Sequence, residues 1–341
     1  MIADFGNTKD KKPVQLATIV NKNGMCADIS SYGATLVSLL APDKNGKLAD
    51  VVLGFDNVTG YENTDTYMGA TIGRHAGQIA NGSFVLNDRQ YDLVINDHNH
   101  TMHGGPEGFH NQIFDIAQHN ENTVTFSRIS RDGEANFPGD LEITVTYIIA
   151  DDNSLSIDFN GCCKVDTILS MTNHAYFNLD GPGCGDILSH SLKIYADEYT
   201  VVDNQGLPTG EILPVADTPF DFREFRTIGE RIAEPHTELK YCSGYDHNWV
   251  ISNPGEVRLC CELMSSDRMR HMRLYTNQPG LQMYSGNYLK GAEGKAGSTH
   301  VYRGALCLEP QMYPNGLNHP HFPSPVLKGR EVYRYRSIYK F

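Results

Sequence analysis

Alternation of apolar and polar residues with a period of two dominates the chain. Between positions 141 and 149 the odd-numbered residues are Leu, Ile, Val, Tyr and Ile, and most of the residues between them are polar. A turn-forming Asp-Asp-Asn segment follows at 151–153, and the alternation resumes from 154 to 159. An apolar residue at every second position is typical of a strand with one buried face, so these residues predict a β-hairpin.

Short apolar runs of the same kind recur along the chain between clusters of Gly, Asn and Asp. They occupy positions 14–20, 35–40, 51–53, 124–127, 191–194, 272–276 and 332–341. Only 227–233 has a pattern compatible with one or two helical turns. Many short strands joined by such turns indicate an all-β fold, a large antiparallel β-sandwich with few short helices. No linker or fixed-period repeat divides the sequence, so we predict a single domain over residues 1–341.

Charge narrows the class of partner. The 341 residues include 28 Lys and Arg against 41 Asp and Glu, which gives a formal net charge of −13 at pH 7. Nucleic acids and anionic membranes bind clustered basic residues, so this charge argues against both as partners. No stretch approaches the roughly 20 consecutive apolar residues that a membrane-spanning helix needs.

Eight cysteines bear on the redox environment. None belongs to a C-x-x-C pair, and two pairs are adjacent in the sequence, at 162–163 and 260–261. Adjacent residues of a strand point to opposite faces, which suits neither a zinc knuckle nor a disulfide ladder. The N-terminal residues also lack the apolar segment of a secretory signal, so we expect reduced thiols and a cytoplasmic location.

Histidines concentrate in a polar segment that runs from Asp97 to Gly105. His98, His100 and His103 lie within six residues of one another, a spacing that could supply metal ligands. A solvated loop with one histidine turned inward explains the same spacing, and no carboxylate–histidine pattern accompanies it, so we predict no metal. Two glycines follow His103, and they would let the backbone turn sharply or approach a ligand closely.

A second segment, 171–179, combines apolar residues with neutral hydrogen-bonding groups. An extended backbone would place His174, Tyr176 and Asn178 on one face. Imidazole, phenol and amide groups together suit a sugar. An ordinary strand with polar residues toward solvent has the same pattern.

Two further segments contain candidate carboxylates. In 243–249, Asp246 lies near the only tryptophan of the chain, and a carboxylate beside an aromatic surface suits a pyranose, although ordinary loops have similar residues. Glu309 follows an apolar run that begins at Ala305. Partial burial would raise its pKa and make its anion a better base. A solvated glutamate at the end of a strand is the alternative.

Taken in order, these segments resemble the aldose 1-epimerase family, also called galactose mutarotases. Each match is weak alone, whereas the ordered set is specific and covers nearly the whole chain. The matching segments are SYGATL (31–36), DVVLGFD (50–56), YMGATIGRHAGQI (67–79), MHGG (102–105), TNHAYFNL (172–179), PTGE (208–211), GYDHN (244–248), QPGLQMYSGN (278–287) and LEPQ (308–311). The resemblance implies one β-sandwich domain with the sugar in an open cleft on one sheet, and no metal or organic cofactor.

By position, the resemblance implies that Glu309 is the general base and His174 the general acid. The residues that would bind sugar hydroxyls are Gly77, Gln78, His103, Tyr176, Asn178, Asp246 and Gln282. Interconverting the anomers of a free aldohexose such as galactose or glucose requires deprotonation of the C1 hydroxyl and protonation of the ring oxygen. A carboxylate and an imidazolium within ~2.6–3.2 Å of those atoms are sufficient, and His103 could share the acid role.

One position departs from the family pattern. The early loop of the family usually ends in Arg before Ile, whereas here Gln78 precedes Ile79. Glutamine keeps hydrogen-bond donors but lacks the charge and planar fork of arginine. Arg74 belongs to the motif in any case, so we do not expect it to replace the missing residue. The departure therefore bears on substrate preference or affinity.

Other functions fit the same residues. Asp246 and Glu309 could be the paired carboxylates of a glycoside hydrolase. The glutamine at 78 would also suit a sugar-binding or regulatory homologue without activity. Phosphorylated hexoses would require several basic residues near the cleft, and the matched segments offer only Arg74. A small-molecule sugar is the expected partner of a monomer or weak homodimer.

Overall fold

The structure, a computed structural model, describes residues 1–341 and consists mainly of β-strands. The only α-helices are α1 (Val58–Glu62) and α2 (Thr237–Tyr241), each of five residues. No helix is long and apolar enough to span a membrane. This architecture confirms the predicted all-β fold with few short helices.

Thirty strands follow one another along the chain. The first seventeen are β1 (Ile2–Asn7), β2 (Pro13–Val20), β3 (Cys26–Ser30), β4 (Thr35–Pro42), β5 (Leu48–Asp50), β6 (Thr71–Ile72), β7 (Gln78–Ile79), β8 (Ser83–Leu86), β9 (Arg89–Asp92), β10 (Thr101–Met102), β11 (Asp115–His119), β12 (Thr123–Ser130), β13 (Leu141–Ala150), β14 (Ser154–Cys163), β15 (Thr167–Ile168), β16 (Thr172–Asn173) and β17 (Tyr176–Phe177). The others are β18 (Ser191–Ile194), β19 (Glu198–Val202), β20 (Pro208–Pro214), β21 (Arg226–Thr227), β22 (Asp246–Val250), β23 (Arg258–Met264), β24 (His271–Thr276), β25 (Gly280–Tyr284), β26 (Ala292–Glu293), β27 (Thr299–His300), β28 (Leu306–Gln311), β29 (Val326–Leu327) and β30 (Val332–Lys340).

The largest sheet has nine antiparallel strands in the spatial order β11-β12-β13-β14-β30-β24-β23-β18-β21. Its centre contains the predicted hairpin, in which β13 pairs with β14 from Leu141 opposite Cys163 to Ala150 opposite Ser154. The apolar positions of β13 are buried, and the polar positions between them are partly or fully exposed. The expected helical turns at 227–233 are reduced to one 3₁₀ turn, Ile228–Glu230.

A six-stranded sheet, β17-β28-β25-β22-β19-β20, packs against the largest one. Tyr339 of β30 contacts it directly, because its ring centroid lies 5.1 Å from that of Phe177 and its hydroxyl donates to the carbonyl of Leu308 at 3.3 Å. One cluster of 55 buried residues includes apolar side chains of both sheets. This layering confirms the predicted antiparallel sandwich, while the single-domain organisation stays a prediction.

The remaining strands cover the outer parts of the sandwich. Strands β1 to β5 form a meander in chain order, and five further pairs are two-stranded. Two of those pairs, β6 with β16 and β7 with β10, bring the early loop of the chain to the segments that contain His174 and His103.

Candidate active site

Strand register arranges side chains in rows on the face of the six-stranded sheet that points away from the 55-residue core cluster. Directly opposite residues of antiparallel strands share a face. Tyr176, Cys307, Tyr284 and Asp246 form one row across four strands. The adjacent row across three strands is Glu309, Gln282 and Asn248.

The other face of the same strands explains this arrangement. Residues that alternate with the polar rows, among them Leu308, Leu281 and Trp249, belong to the hydrophobic core. Because side chains alternate between the two faces of a strand, the carboxylates and amides lie on the opposite side of the sheet. A cavity of about 360 Å³ lies there. Of the predicted site residues, it is lined by Gly77, Gln78, His103, His174, Tyr176, Asp246, Gln282 and Glu309.

Glu309 and His174 face each other across this cavity. The Oε1 atom of Glu309 is 3.7 Å from Nε2 of His174, and the two side chains are only 2% and 6% exposed. The other carboxylate oxygen of Glu309, Oε2, is buried without a hydrogen-bond partner. Burial, and secondarily the charge of Asp246, raises the pKa of Glu309 well above its ordinary value. Burial lowers the pKa of His174 to about 4.

The backbone on either side of His174 fixes the position of its ring. Its N–H donates to the carbonyl of Ala70, and its carbonyl accepts from the N–H of Gly69, both at 2.9 Å. Tyr176 packs against the imidazole at a centroid distance of 5.2 Å, and His103 meets it edge-on at 5.3 Å. The ring is thus held on several sides, with Nε2 directed toward Glu309.

His103 is positioned by the Gly-rich loop that the sequence singles out. Its Nδ1 accepts a hydrogen bond from the N–H of Gly77 at 3.1 Å, and its own N–H donates to the carbonyl of Gly77 at 3.1 Å. The next residue, Gly104, has a φ of +84°, and a Cβ there would lie 2.1 Å from the carbonyl oxygen of Gly73. Only glycine fits this close approach. Burial lowers the pKa of His103 well below its ordinary value, so the ring is neutral near pH 7.

Asp246 and Gln282 form a hydrogen-bonded pair in the floor of the cavity. Nε2 of Gln282 donates to Oδ1 of Asp246 at 2.7 Å, and Oε1 of Gln282 is left without a partner. Burial raises the pKa of Asp246 to about 6, although the bond from Gln282 opposes that shift. The pair therefore presents both an acceptor and a fixed carboxylate to a polyhydroxylated ligand.

Asn178 does not reach the cavity, and we remove it from the sugar-binding set. Its Nδ2 donates to the carbonyl of Gly304 at 2.9 Å, and its Oδ1 accepts from the N–H of Asp180 at 3.0 Å. The strand that starts at Tyr176 ends at Phe177, so the face shared by residues two apart is not maintained as far as Asn178.

Arg74 also lies away from the cavity, as expected. It is 2% exposed, and its guanidinium donates to the Ser130 hydroxyl and to the backbone carbonyls of Ser130, Arg131, Pro138 and Gly139. Gln78, in contrast, does line the cavity. The position that departs from the family pattern therefore contributes directly to the site.

Two side chains that line the cavity, those of Tyr67 and Gln311, were missed in the sequence. Tyr67 has a φ of +55° and packs edge-on against His103 at 4.7 Å, an arrangement that no local pattern indicates. Gln311 is 1% exposed, and its amide has no hydrogen-bond partner. The same alternation that places Glu309 on the cavity face also places Gln311 there, so this residue could have been found from the period of two.

The histidine cluster does not assemble as a metal site. His98 is exposed beside Asp97, and Nδ1 of His100 accepts from the N–H of Asn81 at 3.2 Å. His103, His174 and Glu309 are the groups that could hold a divalent cation, since they bring one ligand atom each within 4.8 Å of one another. A carboxylate and an imidazole that share one proton are also sufficient for acid–base catalysis.

Comparison with known proteins identifies relatives of this chain. The family model described as aldose 1-epimerase matches residues 15–340. Galactose mutarotase of Bos taurus is 38% identical over 315 residues, which cover 92% of this chain and 90% of the relative. Aldose 1-epimerase of Escherichia coli is 35% identical over 335 residues, covering 97% and 96%.

Solved structures show the same relationship. An aldose epimerase homologue from C. elegans superposes with a TM-score of 0.88 at 33% identity, over 95% of this chain and 98% of that chain. Galactose 1-epimerase from Lactobacillus acidophilus gives a TM-score of 0.85 at 25% identity, over 100% and 97%.

Proposed function

This chain belongs to the aldose 1-epimerase family, an enzyme family that interconverts sugar anomers, and we propose that it acts on free aldohexoses such as galactose and glucose with Glu309 as base and His174 as acid. The observation that carries the proposal is the contact between Glu309 and His174 in the cavity. A carboxylate with one unpartnered oxygen lies 3.7 Å from an imidazole, and both are almost completely buried.

The two groups share one proton in the reactive state. Burial opposes the charge of each group taken separately, which raises the pKa of Glu309 and lowers the pKa of His174 to about 4. A carboxylate and an imidazolium at this separation stabilise each other, so they titrate as a pair. The pair holds a single proton between about pH 4 and the raised pKa of Glu309. With that proton on His174, Glu309 is the base and His174 the acid.

Ring opening then follows with a balanced transfer of protons. Glu309 takes the proton of the C1 hydroxyl while His174 donates its Nε2 proton to the ring oxygen O5. The C1–O5 bond breaks and an aldehyde forms. After rotation about the C1–C2 bond, O5 returns its proton to His174 and attacks C1 from the other face, and Glu309 protonates the new hydroxyl. Neither group is consumed, and each contributes about 10²–10⁴-fold.

The other polar groups of the cavity orient the sugar in this proposal. Asp246, held by Gln282, accepts from hydroxyl groups, and the unpartnered Oε1 of Gln282 accepts another. Because Nδ1 of His103 accepts from Gly77, the proton of its neutral ring is on Nε2, which is free to donate. Gln78 supplies a neutral amide where the family usually has arginine. Tyr176 positions the neighbouring loop, since its hydroxyl donates to the carbonyl of Thr66 at 3.0 Å.

The proposal also covers the location, domain organisation and oligomeric state of the protein. All eight cysteines are free thiols, which supports a cytoplasmic location. A single domain, and a monomer or weak homodimer, remain predictions. The core cluster that extends from Ala17 to Tyr339 supports the first of these.

Polarimetry on freshly dissolved α-D-galactose and α-D-glucose tests the proposed function. We expect the protein to accelerate the approach of optical rotation to equilibrium, and Glu309→Gln and His174→Asn to abolish most of that acceleration. Incubation with a nitrophenyl galactoside is the matched test for the hydrolase alternative, because only a hydrolase releases nitrophenol. A wild-type protein that leaves both rates of mutarotation unchanged would contradict the proposal.

A further inference from the structure

Gln311 is a buried residue of the active-site cavity that has no role in the acid–base steps derived above. It lines the cavity, and neither Nε2 nor Oε1 of its amide has a hydrogen-bond partner. Buried side-chain amides are nearly always hydrogen-bonded, because an unpaired donor or acceptor that has left water is costly. An unpaired amide that faces a cavity is therefore a candidate contact for a polar ligand.

The neighbouring strands explain why this amide has no partner within the protein. On one side of β28, the residue directly opposite Gln311 is Gly280 of β25, which has no side chain. On the other side, β17 pairs only with Leu306 and Cys307, so no strand pairs with Gln311 there. Cross-strand neighbours are the usual partners of a polar side chain in a sheet. Without them, the amide of Gln311 is available to whatever occupies the cavity.

The order of side chains along β28 gives the position of this amide relative to the reacting groups. Cys307, Glu309 and Gln311 are alternate residues of the strand, so they follow one another on one face. The imidazole of His174 spans the first two, because its Nδ1 lies 3.5 Å from Sγ of Cys307 and its Nε2 lies 3.7 Å from Oε1 of Glu309. His174 and Gln311 are therefore on opposite sides of Glu309 along the strand.

We propose that Gln311 binds the C2 hydroxyl of the aldose and so makes the enzyme selective for the substituent at C2. The proposal rests on the proposed function, in which Glu309 meets the C1 hydroxyl and His174 meets the ring oxygen O5. The two ring neighbours of C1 are O5 and C2. A sugar whose O5 lies on the His174 side of Glu309 directs C2 and its hydroxyl to the other side, toward Gln311.

An amide suits this contact because a hydroxyl group is both a donor and an acceptor. Nε2 of Gln311 can donate to the hydroxyl oxygen, or Oε1 can accept its proton. An arginine or lysine could bind the same hydroxyl, but its positive charge would lower the pKa of Glu309 and make that carboxylate a weaker base. A neutral amide thus binds the sugar beside the base without changing the charge around it.

Saturation kinetics on galactose and 2-deoxygalactose measure this contact. In the wild-type protein we expect KM to be about five- to 50-fold higher for 2-deoxygalactose, because the missing hydroxyl leaves a buried amide unpaired. Gln311→Met keeps the length of the side chain without its polar atoms, so its two KM values should be nearly equal. KM is compared because loss of the C2 hydroxyl also changes the intrinsic rate of ring opening. With 6-deoxygalactose, the ratio of KM to that for galactose should be the same in both proteins.

Gln278 provides a matched control, because it is an equally buried glutamine that does not line the cavity. Its Nε2 donates to the carbonyl of Met171 at 3.3 Å and to the hydroxyl of Tyr333 at 3.2 Å. Gln278→Met removes these hydrogen bonds, so we expect a lower Tm and the wild-type ratio of KM values. Gln311→Met breaks no hydrogen bond within the protein, so its Tm should equal or exceed that of the wild type.

Two results would overturn the inference. One is a wild-type KM that is the same for galactose and 2-deoxygalactose, and the other is a Gln311→Met protein that keeps the wild-type ratio of KM values. If Gln311→Met does not fold, Gln311→Leu, which also lacks polar atoms, takes its place. Failure of the proposed function would look different, because Glu309→Gln would then keep its activity on both sugars whatever the ratio.

Discussion

Apolar and polar residues alternate in both main sheets, but the polar face is exposed on one sheet and buried on the other. On the nine-stranded sheet the polar side chains face solvent and pair with one another, as Arg336 does with Asp158, and Lys340 with Asp152 at 2.7 Å. On the six-stranded sheet the polar rows are buried, and Glu309, Asn248 and Gln311 retain unpartnered atoms. A buried polar atom without a partner costs about 1–3 kcal/mol. The second face, called the incomplete face below, therefore keeps polar atoms that water or a polar ligand can satisfy.

Charge removal on the incomplete face should have the largest effect. We expect Glu309→Gln to lower kcat for mutarotation by about 10²–10⁴-fold, because the amide has the same shape but cannot accept a proton. Asp158→Asn, the equivalent change on the solvent-facing sheet, should leave kcat unchanged. Polarimetry measures both rates, and circular dichroism checks that both variants fold. A Glu309→Gln enzyme with more than about a tenth of wild-type kcat would remove Glu309 from the base role.

Removing the charge of Asp246, on the same face as Glu309, should change the pH profile of kcat. The pair's single-proton state predicts a bell whose acid limb lies near the lowered His174 pKa of about 4 and whose alkaline limb follows the raised pKa of Glu309. Ionised Asp246 helps to raise that second pKa. Asp246→Asn should therefore move the alkaline limb to lower pH by roughly one unit. Asp158→Asn is the control, and an alkaline limb that stays in place in Asp246→Asn would contradict this coupling.

Removing a carboxylate should have opposite effects on the free energy of unfolding on the two faces. Because folding raises the pKa of Glu309, the folded state binds that proton more tightly than the unfolded state does. Stability is then lost as pH rises from about 4.5 toward the folded pKa. At pH 8 we expect Glu309→Gln to increase the free energy of unfolding by at least about 1 kcal/mol, since one pKa unit corresponds to about 1.4 kcal/mol.

Asp158→Asn breaks an exposed ion pair, so it should lower the free energy of unfolding by less than about 1 kcal/mol. Urea denaturation at pH 5 and pH 8 separates the two cases. If Glu309→Gln changes the free energy of unfolding equally at both pH values, ionisation of Glu309 does not destabilise the folded state.

The smallest expected effect is a change in sugar affinity caused by a substitution at Gln78. Gln78→Arg should lower KM about fivefold with kcat nearly unchanged, because a charge-assisted hydrogen bond to a sugar hydroxyl is stronger than a neutral one by ~1 kcal/mol. Saturation kinetics on galactose and glucose measure the change. An unchanged KM on both sugars would mean that position 78 makes no contact with the sugar.

Local alternation predicted what each strand buries, but it did not predict which segments meet. The hairpin at 141–159 follows from a period of two, and the burial of Glu309 was expected from the apolar run before it. The period of two would also have found Gln311. Asn178 was misplaced because the period was extended past Phe177, where the strand ends. The packing of Tyr67 against His103 depends on a left-handed residue and on pairing between distant strands, neither of which a local pattern contains.

Chain order within the nine-stranded sheet has a consequence for biosynthesis. Strand β30 lies between β14 and β24, so the element that joins the two halves of this sheet comes after every other strand in the chain. Until it leaves the ribosome, both neighbours present open edges, and open edges recruit other strands. We therefore expect nascent chains to depend on chaperones until β30 is released, and a ribosome stalled within this strand to yield an aggregation-prone product.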